Sequence, residues 1–113
     1  MTTERLFVYG SLVPGGSNEH VLAGVDGDWA RGSLRGRLLE AGWGAAMGYP
    51  GLIIDDDGED VPGFVFSSAA LADDWERLDE FEGPQYQRVR CDVTLDDNEK
   101  VRAFVYVIRN PEA

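Results

Sequence analysis

The chain has 113 residues with 21 acidic and 10 basic side chains, a formal net charge of −11 with its one histidine neutral, and this length fits a single domain over residues 1–113. Hydrophobic residues at 43% supply a core and exclude wholesale disorder, no apolar run approaches the roughly 20 residues that span a bilayer, and the start MTTERLFVYG does not read as a secretory leader. The acid surplus repels phosphates, excluding nucleic acid and anionic membranes as main partners, while the lone Cys91 excludes an internal disulfide framework and a multi-cysteine zinc site, which together favour the cytoplasm.

Residues 5–9 (RLFVY) are apolar on both alternating faces, as in a strand buried on both sides. The glycines and proline of GSLVPGGS then force a loop, and residues 18–23 can form one or two helical turns capped by Ser17 or Asn18. Strand-like stretches follow at 28–33 and 34–40. Residues 41–51, with four glycines and a proline, are expected to be irregular and are the candidate lid. A short apolar piece at 52–54 precedes DDDGED, an exposed acidic turn, and 61–67 is a strand whose Pro62 marks an edge or a strand start. Residues 67–83 form a helix capped by Ser67 or Ser68 and stopped by Gly83-Pro84, with Leu71, Trp75 and Leu78 on one face. Strands at 87–95 and 101–109 are joined by DDNE as a hairpin, and the last is apolar on both faces, as in a sheet that closes with its outer face covered.

One residue does not fit this pattern. Continuing the face 71, 75, 78 by one step reaches Glu82. If the helix survives its last turn, a carboxyl lies on the core side; burial and the negative end of the helix dipole would both raise its pKa. A carboxyl tuned upward takes and returns a proton near neutral pH. The alternative is that the helix frays before Gly83 and Glu82 points to water. A second constellation is the loop after the first strand, Tyr9, Gly10, Ser11 and Leu12, whose consecutive N–H groups can form a nest for a carboxylate or oxyanion; the alternative is a plain glycine turn. Ser11 or Cys91 paired with His20 is a weak nucleophile reading, with no GxSxG elbow present. The acids of DDDGED lack EF-hand spacing, so no metal site is expected. Trp43, within Gly-Trp-Gly, is placed to line a pocket.

Taken together, these motifs resemble the gamma-glutamylcyclotransferase family, and specifically its small gamma-glutamylamine cyclotransferase and AIG2-like members. VYGSL at 8–12 is similar to the family's opening motif, Gly48-Tyr49-Pro50-Gly51 to its central element, and LDEFEG at 78–83 to the motif carrying the catalytic glutamate, which falls on Glu82. Gly63-Phe64-Val65-Phe66 resembles a glycine-led strand often ending in tyrosine, from which Phe66 departs, and Tyr86-Gln87-Arg88 fits the following Y-x-R. The resemblance implies an α+β fold, a small mixed β-barrel with flanking short helices. It also implies cyclisation of a small-molecule gamma-glutamyl substrate to 5-oxoproline without cofactor or metal. Glu82 would be the acid–base group, with Tyr9 to Leu12 and Tyr86 on the substrate. The alternatives are a non-catalytic small-molecule binding domain on the same barrel and a hydrolase using Ser11. Oligomeric state is not legible in the sequence.

Overall fold

The computed structural model describes residues 3–9, 22, 25–39, 51–82 and 86–108. Six strands lie in this region: β1 (Glu4–Val8), β2 (Asp28–Leu39), β3 (Gly51–Ile54), β4 (Glu59–Ser68), β5 (Tyr86–Leu95) and β6 (Lys100–Ile108). Between β4 and β5 come a 3-10 turn, Ala69–Asp73, and the helix α1, Trp75–Glu82.

The strands pair in the order β3-β2-β4-β1-β6-β5, and β5 returns to β2. Five strands therefore close a barrel, and β3 attaches outside the closure. One strand serves both jobs. β2 pairs with β4 along one edge from Asp28 to Gly36. On its other edge it meets β5 at Gly32 and Ser33, then β3 from Gly36 to Leu39. The two stretches expected at 28–33 and 34–40 are therefore one strand, because the unbroken β4 edge holds it straight while the opposite edge changes partner. The pairing of β1 with β6 is parallel and the others are antiparallel, so the expected mixed barrel is the observed fold.

The two-sided apolar strands make two cores. Phe7, Val65, Val93, Val105 and Val107 fill the barrel interior, with Tyr9 packed against them. Leu6, Val8, Phe66 and Tyr106 face outward, under Leu71 and Leu78. Alternation along β1 and β6 sends successive residues to opposite sides of the barrel wall, which is why neither strand has a polar face. Gly63 makes the wall thin where β1 ends. A Cβ there would run into the carbonyl oxygen of Val8 and lie 2.6 Å from Phe7 Cζ, and the Val8 oxygen, being backbone, cannot swing away.

The helix expected over 67–83 is divided. Ser68, buried, accepts from the Ala70 N–H with its Oγ and donates to the Asp26 carbonyl, so the cap is Ser68 rather than Ser67. The Asp74 N–H closes back to the Leu71 carbonyl, three residues away, and the turn is 3-10. The Leu78 N–H then reaches the Asp74 carbonyl and starts α1. Leu71 and Leu78 are both fully buried, so the expected face survives the break. The expected acidic turn is present at 55–58, tied by the Asp57 N–H on Asp55 Oδ1. The β5–β6 hairpin turns through Asn98 at φ 71°, a left-handed position that asparagine tolerates. The expected helix at 18–23, apart from the buried Leu22, and the irregular 41–51 segment lie outside the described residues, save for Gly51 at the start of β3. Among the described residues, no helix is long and apolar enough to cross a membrane.

Candidate functional site

Strand direction decides what meets at the barrel rim. Phe7 lies beside Val105 in the parallel pair, so β1 runs out at the end where β6 finishes. Tyr86, the first residue of β5, pairs with Ile108 at that same end. Adjacent strands stand about 4.8 Å apart, which puts Tyr9 and Tyr86, two strands apart, about 10 Å from each other. The chain enters the expected nest immediately after Tyr9. It reaches Tyr86 four residues after Glu82, a span of at most about 14 Å.

α1 persists to Glu82, so fraying before Gly83 does not occur. At about 100° per residue, position 82 lies about 40° round the helix from Leu78 and between Leu78 and Asp79. Leu78 is fully buried, and Phe81, on the other flank, is 41% exposed. Of the other expected site residues, Tyr9 packs into the barrel interior, stacks on Phe7 at 6.3 Å and donates its hydroxyl to the Tyr106 carbonyl at 2.7 Å. Tyr86 packs in the outer core with Leu78. Gly10, Ser11 and Leu12, together with His20 and Trp43, lie outside the described residues, as do the contacts of the Glu82 side chain.

Sequence reasoning did not anticipate the polar cluster on the outer side of the rim. Arg88 and Tyr106 are cross-strand neighbours. Arg88 donates from Nε and Nη2 to the two oxygens of Asp79 at 3.0 and 3.3 Å, and Tyr106 donates to Asp79 Oδ1 at 2.6 Å. The guanidinium lies over Trp75 at 4.4 Å and Phe104 at 5.0 Å. Arg88 in Y-x-R and Asp79 in LDEFEG are visible as motif members, but their meeting depends on the β5–β6 register. Burial pushes the Asp79 carboxyl up, and the Tyr106 hydroxyl and Arg88 guanidinium together outweigh it, so it sits below its ordinary value of 3.8. A lowered folded pKa means that this contribution to stability is complete above the unfolded value and is lost as pH falls through the folded one. The Tm advantage of the wild type over Asp79→Asn is therefore present at neutral pH and shrinks below about pH 4, a prediction that thermal melts across pH check.

Cys91 is buried in the barrel interior. Burial, with Asp92 adding to it against Arg102, pushes its thiol up to about 11. A thiol held protonated and almost fully buried is a poor nucleophile. In the folded protein at pH 7, Cys91 is expected to resist a maleimide reagent for hours and to label promptly in denaturant, as intact-mass measurement would show.

A cleft of about 660 Å³ lies between the β2–β3 arm and the hairpin half of β5, where Arg90, Cys91, Asp92, Thr94 and Leu95 line it, away from Tyr86. Its basic residues Arg35, Arg90, Lys100 and Arg102 are balanced by Asp56, Asp60, Asp92 and Asp96. Two of these pairs are ion pairs at 3.4 Å. The cleft therefore offers no net charge, and the rim rather than the cleft is the candidate site. Among the described residues, no three acidic, histidine or cysteine side chains gather as a metal site.

A family model described as gamma-glutamyl cyclotransferase, AIG2-like matches residues 6–113. Among solved structures, an AIG2-like protein from Mus musculus is similar at TM-score 0.72 and 28% identity, over 99% of this chain and 82% of that one. A protein from Arabidopsis thaliana is similar at TM-score 0.75 and 24% identity, over 100% of this chain and 73% of that one. A protein described as gamma-glutamyl cyclotransferase is similar at TM-score 0.67 and 16% identity, over 96% of this chain and 68% of that one. The last two likenesses show a common fold. Comparison with curated protein sequences gives no significant match.

Proposed function

Because the chain belongs to the gamma-glutamyl cyclotransferase, AIG2-like family, we propose that it converts a gamma-glutamyl amine or amino acid to 5-oxoproline and the free amine, with Glu82 as the general acid and base. The observation that carries this reading is one of chain layout: α1 runs to position 82, four residues before Tyr86, and Tyr86 opens β5 at the end of the barrel where β1 finishes.

The reaction needs no enzyme nucleophile. The substrate's own α-amine attacks its γ-carbonyl, a five-membered lactam closes, and the C–N bond to the other amine breaks. Folding the substrate so that amine and carbonyl are in contact removes much of the entropic barrier. The attacking ammonium must lose a proton and the leaving amine must gain one. A single carboxylate does both: it accepts the first proton and returns it to the leaving nitrogen. The N–H groups of Tyr9 to Leu12 would hold the substrate's carboxylate and polarise the carbonyl as negative charge develops. Tyr86 would bind Glu82 or substrate at the rim. No step in this scheme requires a metal, so chelator is expected to leave the rate unchanged. With a net charge of −11, the protein would recruit a substrate whose amine carries compensating positive charge, such as a gamma-glutamyl derivative of lysine or of a polyamine, in preference to a net-anionic gamma-glutamyl amino acid.

The test is product detection. The protein is incubated with a panel of gamma-glutamyl amines and gamma-glutamyl amino acids, with and without EDTA, and 5-oxoproline is followed by mass spectrometry. Product with at least one substrate supports the reading. No product from any of them overturns it in favour of a binding domain on the same barrel. Release of glutamate in place of 5-oxoproline, lost in Ser11→Ala and kept in Glu82→Gln, would point instead to the hydrolase.

A further inference from the structure

We propose that Asp79, Arg88 and Tyr106 form a latch that sets the rotation of α1, and with it the aim of Glu82 at the rim; this rests on the assignment of Glu82 as the acid–base group. The three are positioning residues, and none of them needs to touch substrate.

The apolar docking of the helix is small. α1 has eight residues, about two turns, too short to hold its own shape without docking. Leu78 is its one fully buried side chain among the described residues. Trp75, partly buried in the same core, meets the Phe104 ring edge-on at 4.9 Å, so the apolar anchors of the helix are Leu78 and Trp75. A rotation of the helix about these two contacts would carry position 82 with it.

The latch adds a polar fixed point on the flank of Asp79. Asp79 lies about 100° round from Leu78, so position 82, at about 40°, is bracketed between the two. The restraint is directional. The planar fork of Arg88 engages both carboxylate oxygens, and the Tyr106 hydroxyl takes a further site on Oδ1. The fork is itself held, because the guanidinium lies against both Trp75 and Phe104. Trp75 belongs to α1 and Phe104 to β6, so these contacts tie the helix to the sheet a second time.

Tyr106 also reaches the other half of the site. Its side chain holds Asp79 outside the barrel, and its backbone carbonyl accepts the Tyr9 hydroxyl from inside. Tyr9 is the first residue of the expected nest, so one residue of the barrel wall touches the stems of both catalytic parts.

The cluster is poorly suited to a purely stabilising role. The Asp79 side chain is 45% exposed and that of Arg88 24%, and partly exposed ion pairs contribute little to stability. Proton transfer between fixed partners is far more sensitive, since misplacement by about 1 Å costs on the order of a hundredfold in rate.

The experiment compares wild type with Tyr106→Phe, Asp79→Asn and Arg88→Lys in full-length protein. Two quantities are read: steady-state kinetics of 5-oxoproline release, and the Glu82 side-chain carboxyl carbon resonance in protein labelled with 13C-glutamate, assigned by its loss in Glu82→Gln. Each variant is expected to keep its Tm within a few degrees. Each should lower kcat about 10–100-fold with KM held within about threefold, and move the Glu82 resonance. Arg88→Lys keeps the charge and loses the fork, so it should show the defect; full kcat in that variant with an unmoved resonance overturns the latch. The resonance is read without substrate, which separates the two ideas. A moved resonance in the variants, when the wild type turns over no gamma-glutamyl compound, upholds the latch and removes the cyclotransferase reading. Undiminished kcat with an unmoved resonance in all three variants removes the latch and leaves the cyclotransferase.

Discussion

Glu82→Gln is expected to lower kcat for 5-oxoproline formation by about 10²–10⁴-fold, the usual span for loss of a general acid–base group. KM should change little, because Gln keeps the shape and a hydrogen-bonding oxygen while losing the ability to accept and return a proton. The thermal midpoint should stay level or rise. Glu82 is the last residue of α1, and a negative charge at the negative end of a helix dipole is unfavourable by up to about 1 kcal/mol. Loss of rate without loss of stability is the signature that separates a chemical role from a packing one. Kinetics by mass spectrometry and a thermal melt on the same preparation measure both. A variant that turns over at the wild-type rate would remove Glu82 from the mechanism.

Leu78→Ala is expected to destabilise the fold more than Glu82→Gln or any of the three latch substitutions. The side chain is 0% exposed and packs with Leu6, Val8, Leu71 and Tyr106 in the outer core. Truncating a buried leucine loses its transfer free energy and leaves a cavity, together about 2–5 kcal/mol. A domain of this size holds roughly 5–15 kcal/mol in all, so the loss is a large share of the whole. Tm should fall by roughly 10–20 °C. Urea denaturation should show a lower midpoint at an unchanged slope, which marks lost stability in an otherwise similar fold. Activity should fall too, through undocking of α1, and cooling should restore part of it. That partial recovery would be absent from Glu82→Gln, so the two variants distinguish a helix that has come loose from an acid that is missing.

Much of this molecule is legible in particular residues. The two apolar faces of 5–9 and 101–109 announce strands buried on both sides, and Leu6 against Phe7, and Tyr106 against Val105, are divided between outer and inner cores as that pattern requires. The spacing of Leu71 and Leu78 holds even though the helix between them is broken, because both a 3-10 turn and an α-helix return residues to one side within a few positions. The break itself is hidden in Ser68 and Asp74. Each ties its neighbourhood by a short-range hydrogen bond whose geometry cannot be read from residue type. The single strand Asp28–Leu39 resembles two in the sequence for a related reason, since only its continuous pairing with β4 makes it one.

The order and spacing of VYGSL, LDEFEG and Y-x-R, the face on which position 82 falls and the alternation of the strands are properties of the chain taken alone. The face and the alternation follow from periodicities of 3.6 and two residues, which every local segment carries in itself. The tertiary structure decided the partners. Closure of β5 onto β2, the parallel pairing of β1 with β6, and the register that sets Arg88 beside Tyr106 under Asp79 all join residues set apart in the chain. Alternation specifies which face a side chain occupies but carries no information about which strand lies next to it or how far that strand has slid, so those contacts exist only once the barrel has closed.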